Sequence, residues 1–328
     1  MHRPIVVVGS VNLDLVCMGK RIPAPGETVR GDKFQTFHGG KGANQAVAVA
    51  RLGYPVAMIA KVGSDDFGKR LRQGLQAANV NVRAVSTAEN TASGVALISV
   101  DRTGQNSITV IPGANDQLLP GDLEKALPQL QSAGIILSQL EIPMETVEYL
   151  CSLAQRLQIP LMLDPAPARS LSRKLLKQVT FLTPNETETS VLCAISPADL
   201  NAATVDRFAT FLLGGAANVI VKMGRHGAYL ASADGIRKMI PAFKVKAVDS
   251  TAAGDAFNAG LAVGLMEGKD LVDAVVYGAA VGALSTTRPG AQKSMPAASE
   301  VGELLASHNG KVSRAGRRIV KAAAQAAD

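Results

Sequence analysis

The sequence has no tryptophan, only three cysteines, and aromatic residues at 4% of its 328 positions. Each shortage excludes something. Cys17, Cys151 and Cys193 lie far apart, with no Cys-x-x-Cys, so neither a zinc site nor a disulfide framework is expected. Thiols used this sparingly suit a reducing, cytoplasmic compartment. No run of ~20 apolar residues occurs, so no membrane span is expected. Met1-His2-Arg3-Pro4 leads into a short β-branched run soon interrupted by Asn12 and Asp14, unlike a signal peptide. The net charge of +7 raises nucleic acid as a partner. Much of that excess sits in 309–328, on Lys311, Arg314, Arg317, Arg318 and Lys321, with no aromatic residue to stack on bases. The expected reading is a flexible basic tail and no nucleic-acid partner.

Familiar nucleotide and hydrolase motifs are also missing. No Gly-x-x-x-x-Gly-Lys-Ser/Thr occurs, and Gly39-Gly40-Lys41-Gly42 lacks both that spacing and the hydroxyl. The first apolar run ends Gly9-Ser10-Val11-Asn12, not Gly-x-Gly-x-x-Gly, which removes the main support for a dinucleotide dehydrogenase. No Gly-x-Ser-x-Gly marks a hydrolase nucleophile.

What is present is ample core material, with 47% apolar residues. Short β-branched runs at 5–9, 56–60, 134–137, 160–163, 181–183 and 219–222 read as buried strands. Helical patterns at 43–52, 67–78, 144–157, 171–178, 203–213, 256–266 and 271–284 alternate with them. The alternation predicts an α/β fold with a mainly parallel central sheet and helices on both faces. Segments 13–37 and 93–112 break it, and read as a small separate β-sheet used as a lid. The expected organisation is one domain over 1–308 carrying that lid, followed by the tail.

Thr251-Ala252-Ala253-Gly254-Asp255 is the most informative segment. Small residues run into a helix, so their unblocked amides at its N-terminus form an anion-binding concavity. A carboxylate in the same turn makes sense where Asp255 takes a hydroxyl proton while the amides hold a transferring phosphoryl group. By itself the turn equally fits an aspartate that caps a helix.

Two longer motifs accompany it. Gly39-Gly40-Lys41-Gly42-Ala43-Asn44-Gln45-Ala46 and Asp249-Ser250-Thr251-Ala252-Ala253-Gly254-Asp255-Ala256-Phe257 resemble the two signatures of the ribokinase family, the phosphofructokinase-B type of sugar kinases. Thr183-Pro184-Asn185-Glu186-Thr187-Glu188 resembles that family's Asn-x-x-Glu segment. The resemblance runs from about residue 4 to about residue 300. It implies ATP-dependent phosphorylation of D-ribose at its primary hydroxyl, with Asp255 as base and Ala252, Ala253 and Gly254 as anion hole. It further implies a sugar site of Asn12, Asp14, Gly39, Gly40, Lys41, Gly42, Asn44 and Glu141. Hydroxyl donors and acceptors of a pentose would be matched by these amide and carboxylate groups. The nucleotide side would use Asn185, Lys222, Met223, Gly224, Arg225, His226 and Gly227, with Glu188 organising Mg²⁺ through water. Asp249, Thr251, Ser285, Arg288, Gly290 and Ser294 match a K⁺ site. At Ala279, where relatives carry histidine or asparagine, no side-chain hydrogen bond to the nucleotide is available. A homodimer joined through the lids is also implied. Alternatives are a kinase of the same family for deoxyribose, fructose or a nucleoside, and a sugar-binding regulator without catalysis.

Overall fold

The computed structural model describes residues 2–308, so the tail expected at 309–328 lies outside the described residues. Among the described residues, thirteen strands form two sheets. The larger contains β1 (Ile5–Val8), β4 (Val56–Gly63), β5 (Asn81–Ala88), β8 (Ile135–Ser138), β9 (Leu161–Leu163), β10 (Phe181–Leu182), β11 (Asn218–Lys222), β12 (Ala228–Ser232) and β13 (Arg237–Ile240). Their spatial order is β13-β12-β11-β10-β9-β8-β1-β4-β5. Pairing is parallel from β5 through β11 and antiparallel for β11–β12 and β12–β13.

The apolar runs are continuous because both faces of this sheet are covered. In β1, Ile5 and Val7 enter one core while Val6 and Val8 enter the other. In β9, Met162 faces the first core, and Leu161 and Leu163 the second. Each such fully buried side chain is worth about 1.5–3 kcal/mol of transfer free energy.

One face carries the helices Lys41–Arg51, Asp66–Ala77, Ala253–Met266 and Leu271–Ser285; Met144–Leu157 and Val205–Leu213 pack on the other. The pair Ala253–Met266 and Leu271–Ser285 is drawn together by glycine. A Cβ on Gly260 would lie 3.0 Å from Gly278 Cα, and one on Gly278 would lie 2.8 Å from Phe257 O.

The smaller sheet has β2 (Asn12–Gly19), β3 (Gly31–Gly39), β6 (Gly94–Val100) and β7 (Asn106–Ile111) in the order β3-β2-β6-β7. A parallel β2–β6 pair is flanked by antiparallel neighbours. Both excursions anticipated from the sequence therefore join one sheet.

Several details differ from the sequence expectation. Within the segment 13–37, the second strand begins only at Gly31, because Glu27 is drawn into a turn, pairing with Arg21 and accepting from Ala24 N. The helix expected over 171–178 shrinks to Arg173–Leu176, capped by Ser172. No strand was expected at β5, where Arg83 and Ser86 dilute the apolar alternation of an edge strand. The hairpin β12–β13 and the helix Glu186–Cys193 were likewise not anticipated. That helix carries two threonines and only a weak apolar face, so its start is set by its cap, Asn185.

Candidate active site

The C-terminal ends of β1, β8, β9, β10 and β11 all open toward one edge of the large sheet, where open α/β sheets bind ligands. Ser10 follows β1, Gln139 and Glu141 follow β8, Asp164 follows β9, Asn185 follows β10, and Lys222 ends β11. The helix Ala253–Met266 brings Asp255 against them.

Asp255 is buried, at 5% exposure. Asn44 Nδ2 donates to its Oδ2 at 3.0 Å and Gln45 Nε2 to its Oδ1 at 3.2 Å. Burial pushes its pKa up to about 6; Lys41 and the Asn44 hydrogen bond oppose that, while Asp164 and Glu141 add to it. Burial works against the Lys41 ammonium too, yet Asp255, Glu141, Asp164 and Glu188 hold its pKa above the ordinary lysine value.

The turn before Asp255 is strained. Ala252 sits in the left-handed region, with φ 59°, at a cost of roughly 1–2 kcal/mol for an L-residue. Asp249 stabilises the turn by accepting from Thr251 N at 2.9 Å and Thr251 Oγ1 at 2.6 Å. Of the three amides expected to bind an anion, that of Ala253 donates to Ser250 O at 3.2 Å. The amides of Ala252 and Gly254 have no protein partner among the described residues. Lys222 Nζ stands close by, 3.3 Å from where a Cβ on Gly254 would be. Its other contact is a largely buried ion pair with Asp164 Oδ1 at 2.9 Å. Lys41, Asp164, Asn185, Glu188, Lys222, Ala252, Gly254 and Asp255 surround one cavity of about 340 Å³.

The expected sugar-site residues assemble beside it. Gly40 has φ 87°, and a Cβ there would lie 2.7 Å from Asn12 N. Glycine at this position lets the loop after β3 close onto the start of β2. Glu141 accepts from Lys41 N at 3.0 Å and also from Ser10 Oγ. Burial, reinforced by Glu141, raises Asp14 to about 7. Asn12 Oδ1 accepts from Asn115 Nδ2 at 2.7 Å, and Asn44 Oδ1 is buried with no partner among the described residues. An orphaned buried acceptor of this kind suits a ligand hydroxyl.

On the other side, Lys222, Gly224, Arg225, His226, Gly227 and Ala279 help line an adjoining cavity of about 770 Å³, with Phe243, Phe257 and Ala283 among its apolar walls. Met223 does not line it; its side chain is buried in the core and only its backbone shapes the turn, through Gly227 and His226. Glu188 forms a capping box with Asn185: Glu188 Oε2 accepts from Asn185 N at 2.7 Å, and Asn185 Oδ1 accepts from Glu188 N at 2.8 Å. Burial raises the Glu188 pKa, against the pull of Lys222.

Asp249 also accepts from Gly290 N at 2.8 Å, which joins the Thr251 turn to the loop after Leu271–Ser285. Ser285 and Ser294 are buried with their hydroxyls donating to Gly282 O and Ala291 O. Arg288 instead pairs with Glu300. Among the described residues there is no group of three or more His, Cys, Asp or Glu side chains able to hold a metal by themselves.

Residues 3–298 match the pfkB family carbohydrate kinase. The chain belongs to this kinase family. It is 42% identical over 303 residues to a ribokinase of Bacillus subtilis, spanning 92% of this chain and 99% of that one. It is 36% identical over 302 residues to a deoxyribokinase of Salmonella typhimurium, spanning 92% and 98% respectively. An Arabidopsis thaliana ribokinase structure complexed with ribose and ATP superposes with a TM-score of 0.87 at 32% identity, covering 93% of this chain and 99% of that one.

Three residues that the fold brings to the candidate site carry no signal in the sequence. Asp164 looked like the polar end of a strand before Pro165, Gln45 lay inside a motif without a role, and Asn115 lay between elements. Only the fold brings them together.

Gly40→Ala tests the loop closure. It should destabilise the protein by more than the ~1–2 kcal/mol of a left-handed alanine, because backbone must also move. Gly53→Ala, at φ 79° with nothing within 4 Å, supplies the strain-only reference. Urea unfolding of both variants gives the comparison, and equal losses would refute the close approach.

Proposed function

We propose that this kinase transfers the γ-phosphoryl group of ATP to the primary, 5-hydroxyl of D-ribose, giving ribose 5-phosphate and ADP. The observation that carries this reading is a buried carboxylate, Asp255, with each oxygen held by an amide donor, in the same turn as two backbone amides without a protein partner among the described residues. A base for the hydroxyl and donors for the phosphoryl oxygens are what this transfer needs. Ribose as acceptor is supported by Asn12, Asp14, Asn44 and Glu141 around the neighbouring space, and by the likeness to ribokinases.

In this reading Asn12 and Asp14 hold the sugar hydroxyls, with the Gly39–Asn44 loop and Glu141 closing the site. Asp255 accepts the hydroxyl proton as the oxygen attacks phosphorus, and the bond to the bridging oxygen of ADP breaks. The amides of Ala252 and Gly254 and the Lys222 ammonium stabilise charge on the transferring group. The purine occupies the apolar cavity walled by Phe243, Phe257 and Ala279. Mg²⁺ fits the site because the Glu188 carboxylate is among the groups lining the cavity beside these donors. When bound, Mg²⁺ supplies neutralisation of the phosphate charge. Glu188 would hold it through water, since two of its lone pairs are already taken by Asn185.

K⁺ is the activating monovalent cation we assign to the loops tied by Asp249, with oxygen donors from Thr251, Ser285, Arg288, Gly290 and Ser294, mainly carbonyls. The small sheet acts as a lid that excludes water. Its outer strands β3 and β7 expose Phe34, Ile108 and Val110, and the inner strand β6 exposes Leu97, at 47–64%, which suits packing against the lid of a second copy. No helix of the described residues is long and apolar enough to cross a membrane, and the three cysteines are free, which supports a cytoplasmic setting.

Asp255→Asn should leave sugar binding and thermal stability near normal and cut turnover by about 10²–10⁴-fold. A coupled ADP assay over ribose, deoxyribose, fructose and adenosine reads both base and acceptor. Turnover near normal in the variant sinks the base role, and a stronger response to deoxyribose transfers the reading to that sugar.

The pH profile follows from the raised carboxylates. Asp14 and Asp255 act as anions, so kcat/KM should fall as pH drops from about 7 through about 6. For stability the sign is opposite. An acid whose folded pKa is raised contributes fully below the ordinary aspartate value of 3.8, and that contribution is lost as pH rises from there through about 6 and about 7. A profile flat down to pH 5 would refute it.

Replacing K⁺ by Na⁺ or a large organic cation should lower kcat. Equal turnover in all three would remove the cation assignment.

A further inference from the structure

Gln45 lies in the second turn of the helix Lys41–Arg51 and is 1% exposed. Its side-chain nitrogen sits between two carboxylates, 3.2 Å from Asp255 Oδ1 and 3.2 Å from Asp164 Oδ2. A carboxamide nitrogen carries two hydrogens, one for each. Gln45 Oε1 accepts from Gln139 Nε2 at 2.8 Å. The two carboxylates, which only accept, fix the amide's sense, and Gln139 completes it by donating to the oxygen. Turned over, its oxygen would face two carboxylate oxygens and its nitrogen would face another donor.

Gln139 is itself fully buried. It occupies space that exists because residue 9 is glycine: a Cβ there would fall 2.1 Å from Gln139 Oε1. The other oxygen of Asp164 belongs to Lys222, beside the cavity that holds Gly254. One buried amide thus spans from the proposed base to the ion pair on the phosphate side.

We propose that Gln45 is a positioning residue for phosphoryl transfer, oriented by Gln139, that keeps Asp255 aligned and ionised next to Asp164. The inference rests on Asp255 being the base. Without the amide, two buried carboxylates confront each other with no donor between them, and the balance shifts toward a proton on one of them. A proton on Asp255 removes the base. The other charged groups acting on Asp255 are Lys41, which lowers its pKa, and Glu141, which raises it.

Gln45→Met keeps the length and removes the donor. Gln139→Met removes only the group that orients it. Both are measured for kcat and sugar KM across pH, with thermal unfolding alongside. Gln45→Met should lower kcat roughly 10- to 100-fold, short of the loss from removing the base itself. Sugar KM should stay within about threefold of the parent, a change confined to the transition state. The acidic limb of the kcat profile should move upward. Gln139→Met should give a smaller change of the same sign. Unchanged kcat, or a loss at every pH with the limb unmoved, overturns the proposal. If Gln45→Met does not fold, an unmoved limb in Gln139→Met overturns it alone. An active Asp255→Asn defeats the base reading. An inactive Asp255→Asn with a normal Gln45→Met defeats this inference only.

Discussion

Two largely buried ammonium groups, Lys41 and Lys222, hold together a site crowded with carboxylates. Lys41 feels Asp255, Glu141, Asp164 and Glu188, and Asp14 adds its charge against Glu141. At an effective dielectric of about 20, two like charges 4 Å apart cost about 4 kcal/mol. Five acids cannot share such a space without fixed positive charge and directed donors. The remaining compensation comes from Asn44, Gln45, Asn185 and backbone amides, each aimed at a particular oxygen. Much of the local structure follows from that need. Helix Lys41–Arg51 brings Lys41, Asn44 and Gln45 inward together, and the glycines around it let backbone approach backbone.

The same constraint explains the arrangement of the phosphate side. A triphosphate adds negative charge to a region already rich in it. The proposed site meets this with two free amides in a strained turn and with Lys222. The left-handed Ala252 is held by the Asp249 side chain, which also ties in Gly290. The turn and the loop after the helix Leu271–Ser285 are therefore hydrogen-bonded to each other through Asp249. A cation bound between them would act on the anion hole through its backbone, without touching substrate.

Much of this was legible in the sequence, for reasons of geometry. Strands buried on both faces show as apolar runs, so β1, β4, β9 and β11 stood out. Edge strands such as β5 and β13 carry arginine and lysine and did not. The Gly39–Asn44 loop and the Ala252–Asp255 turn were visible because close backbone approach leaves a mark in glycine and alanine. Asp164 and Gln45 left none. One looks like a strand end and the other like a polar residue on an alanine-rich helix. Their meaning lies in a contact spanning 119 residues of chain. Met223 was read as part of the nucleotide loop, and its side chain turned out to belong to the core.

Asp255 shows why burial and hydrogen bonding must be set against each other in such a site. A solvated aspartate, with a pKa near 4, is always ionised at neutral pH but too weak a base to take much of a hydroxyl proton. Burial alone would raise the pKa until the group was protonated and useless. Here burial raises it, while Lys41 and the Asn44 amide restrain the rise to about 6. The carboxylate is then ionised at neutral pH and yet more basic than in water, as the proposed general-base role requires. The helix-cap reading of the same turn predicts neither the burial nor the two side-chain amides spent on one acid. A cap accepts from its own helix backbone; Asp255 accepts from a different helix, across the site.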